Sequence, residues 1–249
     1  MRALITNDDG VRSEGIALLA RVALDAGLDV VVAAPHEERS GAGASLTGMG
    51  ADDHLGIELT HIEGLPDVTA YAVQASPALI AFVATRGAFG DPPDILLSGI
   101  NHGPNTGAAV LHSGTVGAAL TALTHGVPAM ALSSIATRPL HWDTAEHVAH
   151  VAVTWMIANR TPDAVINVNI PDVPRSDFAG IIPASLARYG AVQAEIGDRG
   201  EGFVTVRFDE IRAEDDDSDA HLLSRNWATV TALRAPSEVD SVDLSTLRE

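Results

Sequence analysis

Two adjacent carboxylates, Asp8 and Asp9, follow the short run Arg2-Ala3-Leu4-Ile5-Thr6 and directly precede Gly10. The run reads as a buried first strand, and ligands of open α/β sheets bind outside the carboxyl ends of such strands. Two anionic side chains held together there repel each other unless a proton or a cation lies between them. Oxygen donors of this kind suit a hard divalent metal. Asn7-Asp8-Asp9-Gly10 also has the composition of a plain turn, so this segment alone leaves a metal site and a turn both open.

A second group with chemical capacity is His112-Ser113-Gly114-Thr115, which leads through Val116-Gly117-Ala118-Ala119 into a helix that ends near Gly126. The first turn of a helix exposes unpaired N–H groups and a partial positive charge, so a Ser-Gly-Thr start can hold a phosphate without lysine. The alternative is an ordinary capped helix whose small residues allow close packing. Between the two groups lie loops rich in Gly, Ser and Asn, at Pro35 to Gly50 (with Arg39-Ser40-Gly41) and at Gly99 to Gly107 (with Asn101, His102 and Asn105).

The elements that must position these residues follow from periodicity. Gly15 to Ala26 has helical spacing and Asp29 to Ala34 is a second apolar strand, which completes a βαβ unit. Its first turn lacks the glycine pattern of a dinucleotide site. Ser76-Pro77 starts a helix that runs to about Arg86. Strands are predicted at Asp94–Ser98, Ala129–Ser133 and Val165–Asn169, with a helix over Asp143–Ala158. The alternation predicts an α/β fold: a Rossmann-like, mostly parallel sheet with helices on both faces. After Pro174 the pattern shifts to short alternating runs, Gly202–Phe208 and Trp227–Leu233, read as a C-terminal antiparallel ribbon extension. Residues 1–173 are therefore expected to form the core and 174–249 a β-rich element that either stands apart or returns to the core and that mediates a homodimer or homotetramer. The run Glu214-Asp215-Asp216-Asp217-Ser218-Asp219 is expected to be a solvated loop, since it lacks the spaced ligands of a calcium loop.

Bulk properties narrow the classes. The 249 residues carry 33 acidic and 15 basic side chains, a formal charge of -18, with every basic residue other than His an Arg. Nucleic acid polymers gain no general attraction from such a surface, so an anionic substrate must be held locally. With no Cys, disulfides and thiolate metal sites are excluded. No apolar run suits a membrane span and the N-terminus lacks a signal-peptide pattern, so a cytoplasmic protein is expected.

Together, Thr6-Asn7-Asp8-Asp9-Gly10, Ala34-Pro35 with Arg39-Ser40-Gly41, Ser98-Gly99-Ile100-Asn101 with Gly103 and Asn105, Ser113 to Ala119, and Asn167-Val168-Asn169-Ile170-Pro171 make the chain similar to the SurE family of survival-protein E nucleotidases. The resemblance covers the chain to about residue 171. It implies one divalent metal per subunit, Mg2+ or Mn2+, held by Asp8, Asp9, Ser40 and Asn101. It also implies hydrolysis of nucleoside monophosphates, with a carboxylate of the Asp8 and Asp9 pair as the base for a water. Another small phosphate ester or short polyphosphate as substrate, or a binding module without turnover, remain open. Position and chemistry add Asn105, Ser113, Gly114 and Thr115 as phosphate binders, with His102, His112 and Arg39 near the pocket.

The chain departs from the family at Glu14, where Pro is usual, at His112, where Tyr is usual, and at Leu120-Thr121-Ala122, where Glu-Gly is expected. The C-terminal family positions are kept in part as Ser218-Asp219, Asn226-Trp227 and Thr231-Ala232-Leu233. His112 either donates a proton to a leaving alkoxide or replaces a Tyr in packing. His147 and His150 either share a metal or are solvated residues of one helix.

Overall fold

The computed structural model describes residues 1–50, 52–188, 192–200, 202–210 and 216–237. In β1 (Arg2–Thr6), Ala3 and Ile5 face one apolar layer and Leu4 the other, so the strand is covered on both faces, as its continuous apolar run requires. α1 (Glu14–Asp25) is capped by Ser13, whose hydroxyl accepts from the Ile16 N–H, and β2 (Asp29–Pro35) returns parallel to β1. β3 (Ile57–Ile62) and β4 (Leu65–Val73) then form an antiparallel pair at the sheet margin. This hairpin is not among the sequence expectations, because β3 is mostly exposed and so lacks a core-facing run; its one local signal is Glu63-Gly64, with Gly64 at φ +74.

α2 (Pro77–Ala84) starts at Ser76 as expected, and β5 follows at Ile95–His102. The chain continues through α3 (Gly114–Thr124), β6 (Ala129–Ser134), α4 (Trp142–Asn159), β7 (Val165–Ile170), β8 (Gly180–Pro183), β9 (Val192–Gly200), β10 (Phe203–Glu210), α5 (Asp219–Leu223) and β11 (Trp227–Leu233). The main sheet has the order β3-β4-β2-β1-β5-β6-β7-β11-β8, and the stretch from β4 to β7 is parallel throughout. α1 and α4 cover one face, α2 and α3 the other. Among the described residues no helix is long and apolar enough to cross a membrane.

Two expectations are corrected. Gly99-Ile100-Asn101-His102 is not a loop but the last part of β5, where the register against β6 shifts between Ser98 and Asn101. Gly99 makes this passage: it lies at φ +137, and a Cβ there would stand 2.3 Å from the Leu132 carbonyl oxygen. Trp227–Leu233 is not ribbon either. It enters the main sheet as β11, antiparallel to β7 and parallel to β8, because Ala228, Thr229 and Leu233 are buried there. The antiparallel ribbon is β9 with β10, a separate two-stranded sheet.

Candidate active site

Asn7 builds the turn that presents the two carboxylates. Its Oδ1 accepts from the Gly10 N–H at 3.2 Å, while its Nδ2 donates to the Gly10 carbonyl at 3.1 Å and to Ser13 Oγ at 2.7 Å. Gly10 stands at φ +99, which favours glycine. The backbone requirements of the turn thus fall on Asn7 and Gly10, and the side chains of Asp8 and Asp9 are left for other work.

Asp8 is buried and points at the start of α3. The Thr115 hydroxyl donates to Asp8 Oδ1, and the Gly114 and Thr115 N–H groups also donate to the carboxylate. A Cβ on Gly114 would come within 2.8 Å of Asp8 Cβ and Oδ2, so glycine is needed for the approach. Ser113 caps α3, its Oγ accepting from Val116 N at 3.0 Å. The positive end of α3 is therefore directed at Asp8, and Gly114 and Thr115 spend their donors on that carboxylate.

Asp9 Oδ2 accepts from the His102 N–H at 3.1 Å, and the His102 Nδ1 lies 3.9 Å from Asp9 Oδ1. Burial raises the proton affinity of both acids; for Asp9 the neighbouring Asp8 adds to it, and its pKa is pushed up to about 7. Burial lowers the proton affinity of His102, against the pull of Glu14 and Glu38, and its Nε2 is buried and unpartnered. Its ring packs on Trp142 at 5.8 Å, and the Trp142 indole donates to Glu14 Oε2 at 2.9 Å. The departure at Glu14 thus anchors the aromatic wall behind Asp9.

Asn101 Nδ2 donates to the Gly103 carbonyl at 2.7 Å, which leaves its Oδ1 as the free end. The Ser40 loop is drawn to the pair by the backbone: Arg39 N donates to the Asp8 carbonyl at 2.7 Å, and Gly43 N to the His112 carbonyl at 3.1 Å. Ser40 Oγ donates to Glu38 Oε1 at 2.6 Å. Arg39 extends its guanidinium to Glu37 at 3.0 Å and is exposed. His112 is exposed as well.

Asn105 is held by a network that sequence reasoning missed. Its N–H donates to Asn169 Oδ1 at 2.7 Å, its carbonyl accepts from Asn167 and Asn169 Nδ2 at 2.9 and 3.0 Å, and its own Nδ2 donates to Ser133 Oγ at 2.7 Å. One amide hydrogen of Asn105 remains, since the group carries two. The signal was present in the sequence: Asn167 and Asn169, two apart in an apolar strand, share one buried face and must find partners.

Asp219 was missed too. It is not part of a solvated loop but fully buried, with both carboxylate oxygens accepting backbone N–H bonds. Asp216 and Asp217 are exposed as expected, while Glu214 and Asp215 lie outside the described residues. His147 packs on Phe178 at 6.1 Å, and His150 Nε2 stands 3.9 Å from Asp25, so the structure gives the two histidines separate partners.

The turn after β1 that carries Asp8 and Asp9 is thus bonded to the end of β5 at His102, next to Asn101, and to the loop after β2 at Arg39, next to Ser40. Among the described residues no three His, Asp or Glu side chains form a group that could hold a metal ion by themselves, so any cation would depend on amide and hydroxyl oxygens as well. Two crowded carboxylates with raised proton affinity, and an amide whose nitrogen is committed elsewhere, offer an all-oxygen donor set that fits a hard divalent ion.

The family model described as Survival protein SurE matches residues 3–193. A 5'-nucleotidase SurE from Synechococcus elongatus is 34% identical over 249 residues, covering 94% of this chain and 93% of that one. A 5'-nucleotidase SurE from Heliobacterium modesticaldum is 38% identical over 187 residues, covering 73% of this chain and 65% of the other. The crystal structure of the SurE protein from Aquifex aeolicus superposes with a TM-score of 0.79 at 26% identity, over 99% of this chain and 97% of that chain. With the motif residues gathered at one sheet edge and the whole fold shared, the chain belongs to the SurE family.

Proposed function

We propose that this protein is a metal-dependent phosphomonoesterase that hydrolyses nucleoside monophosphates to nucleoside and phosphate. The observation that carries the reading is the Asp8 and Asp9 pair at the end of β1, one carboxylate fixed by the start of α3 and the other against His102 at the end of β5. Relatives of this chain that bear the name 5'-nucleotidase support the substrate class. Asp8, Asp9, Ser40 and Asn101 would hold one Mg2+ or Mn2+ per subunit, which when bound supplies Lewis acidity at phosphoryl oxygens and acidifies water.

The chain's own residues divide the remaining work. Asp8 is immobilised by the Thr115 hydroxyl and the first N–H groups of α3. Asp9 Oδ1, beside which the His102 Nδ1 lies at 3.9 Å, accepts the proton of the attacking water. The second amide hydrogen of Asn105 and the Ser113 O–H bind the phosphate, while Gly114 and Thr115 act on it through Asp8. Asn167, Asn169 and Ser133 keep Asn105 in place.

Residues 174–249 serve assembly of a homodimer or homotetramer through the β9 and β10 ribbon, whose Ile196, Phe203, Val204 and Val206 are exposed, and the protein acts in the cytoplasm. The test is phosphate release from nucleoside monophosphates, sugar phosphates and short polyphosphate, with EDTA, Mg2+ or Mn2+. Nucleoside monophosphates turned over only with metal are expected. Preference for another ester reassigns the substrate, and silence on every ester with saturating metal leaves a binding module.

A further inference from the structure

We infer that Asp219 is a positioning residue for this hydrolysis, holding the loop that carries Asn105 through a carboxylate that bridges the C-terminal segment and the active site. The inference rests on the reading of the site just given. Asp219 Oδ2 accepts from the Gly107 N–H at 2.9 Å, across 112 residues of sequence, and Oδ1 accepts from Ala187 N at 2.9 Å and Ala220 N at 2.8 Å. Capping of α5 does not need this carboxylate, because Ser218 already caps it, its Oγ accepting from His221 N at 3.3 Å. Two of the three bonds of Asp219 leave its own helix.

Gly107 follows Asn105 by two residues, and its φ of +53 turns the chain there. The loop is therefore clamped at both ends, by the amides of β7 at Asn105 and by Asp219 at Gly107. An acid at zero exposure loses much solvation energy, and burial accordingly raises its proton affinity while the three N–H groups oppose the rise. A group kept under that penalty and spent on a loop N–H fixes where the loop stands. Displacement of a binding group by about 1 Å lowers turnover by up to about 100-fold, so the clamp has kinetic leverage without touching substrate.

The test compares wild type, Asp219→Asn, Asp219→Glu, Asn105→Ala and the double variant Asp219→Asn with Asn105→Ala. For each, kcat and KM on a nucleoside monophosphate, the Mn2+ Kd and Tm are measured. Expected are a kcat about 10- to 100-fold lower for Asp219→Asn, a Mn2+ Kd changed by less than about twofold, and partial recovery in Asp219→Glu. Loss of Asn105 should matter far less in the Asp219→Asn background than in wild type, because the two act through one loop. A kcat within about twofold of wild type, or penalties that simply multiply, overturns the inference.

If neither Asp219 variant folds, hydrogen exchange of the wild type decides. The Gly107 amide is expected to slow further when Mn2+ and inorganic phosphate are added together, and unchanged or loop-like exchange overturns the inference. Absence of phosphate release from the wild type overturns the site reading and this inference with it. Wild-type turnover with an unaffected Asp219→Asn overturns this inference alone.

Discussion

Asp9 lies between the Asp8 carboxylate and the His102 N–H, its side chain 11% exposed. Its folded pKa of about 7 stands above the ordinary carboxylate value of 3.8, so the folded chain binds this proton more tightly than the unfolded chain does. The stability gained from protonation is complete below the unfolded value and is lost as pH rises through the window to about 7; Asp8, also raised, adds in the same direction. With EDTA present, the Tm is therefore expected to fall across that window, and Asp9→Asn to flatten the slope. Saturating Mg2+ or Mn2+ should offset the fall, because an ion favours the deprotonated pair. Melting curves over pH with and without metal check this, and a metal-free Tm that rises toward neutrality would contradict it. Thr115→Val removes the hydroxyl that donates to buried Asp8; a loss of about 1–3 kcal/mol in stability is expected from denaturant unfolding, with weaker Mn2+ binding. Asp8 and Asp9 stand out in the sequence because two adjacent acids directly behind an apolar run must meet a proton, a donor or a cation, and the structure supplies donors to both. The donors at the start of α3 were legible as well, but their recipient was not: Asp8 is 107 residues away, and no local pattern announces that contact. Asp219 was hidden by its neighbours, since an acidic run reads as solvated even when one member is buried.

At the scale of elements, β1, β2, β5, β6 and β7 and the helices α1 to α4 were readable from periodicity because each is buried on a defined face. The Ser76 and Ser113 caps are found where the sequence puts helix starts. What escaped were the β3 and β4 hairpin, whose outer strand is mostly exposed, and the short β8 and α5. β11 was recognised as a strand but assigned to the ribbon, because an alternating run does not specify its partner. Its true place changes the expected result of truncation. Deletion of residues 174–249 removes β11 and β8 from the edge of β7, and Asp219 with them. Loss of a cooperative melt is therefore expected by circular dichroism, whereas replacing residues 192–210 by a short turn should preserve it. A cooperative unfolding transition in the larger deletion would contradict the sheet's dependence on β11.

The whole molecule carries a formal charge of -18 without a single lysine, so the proposed phosphate donors are local, the Asn105 amide and the Ser113 hydroxyl, while the N–H groups at the start of α3 serve Asp8. The exposed apolar side chains of the ribbon, Phe203 at 63% foremost, are the surface on which a second copy is expected to pack. Ile196→Asp with Phe203→Asp should reduce the mass seen by light scattering while the far-UV spectrum is retained; an unchanged mass would place the contact elsewhere. The most direct test of the central claim is a Mn2+ titration of phosphate release from a nucleoside monophosphate, with wild type and Asp8→Asn in parallel. Saturable, EDTA-reversible turnover in wild type is expected, with a loss of at least about 100-fold in a folded Asp8→Asn protein. Equal turnover by the two proteins, or turnover that persists in EDTA, would contradict a metal-dependent centre built on the Asp8 and Asp9 pair.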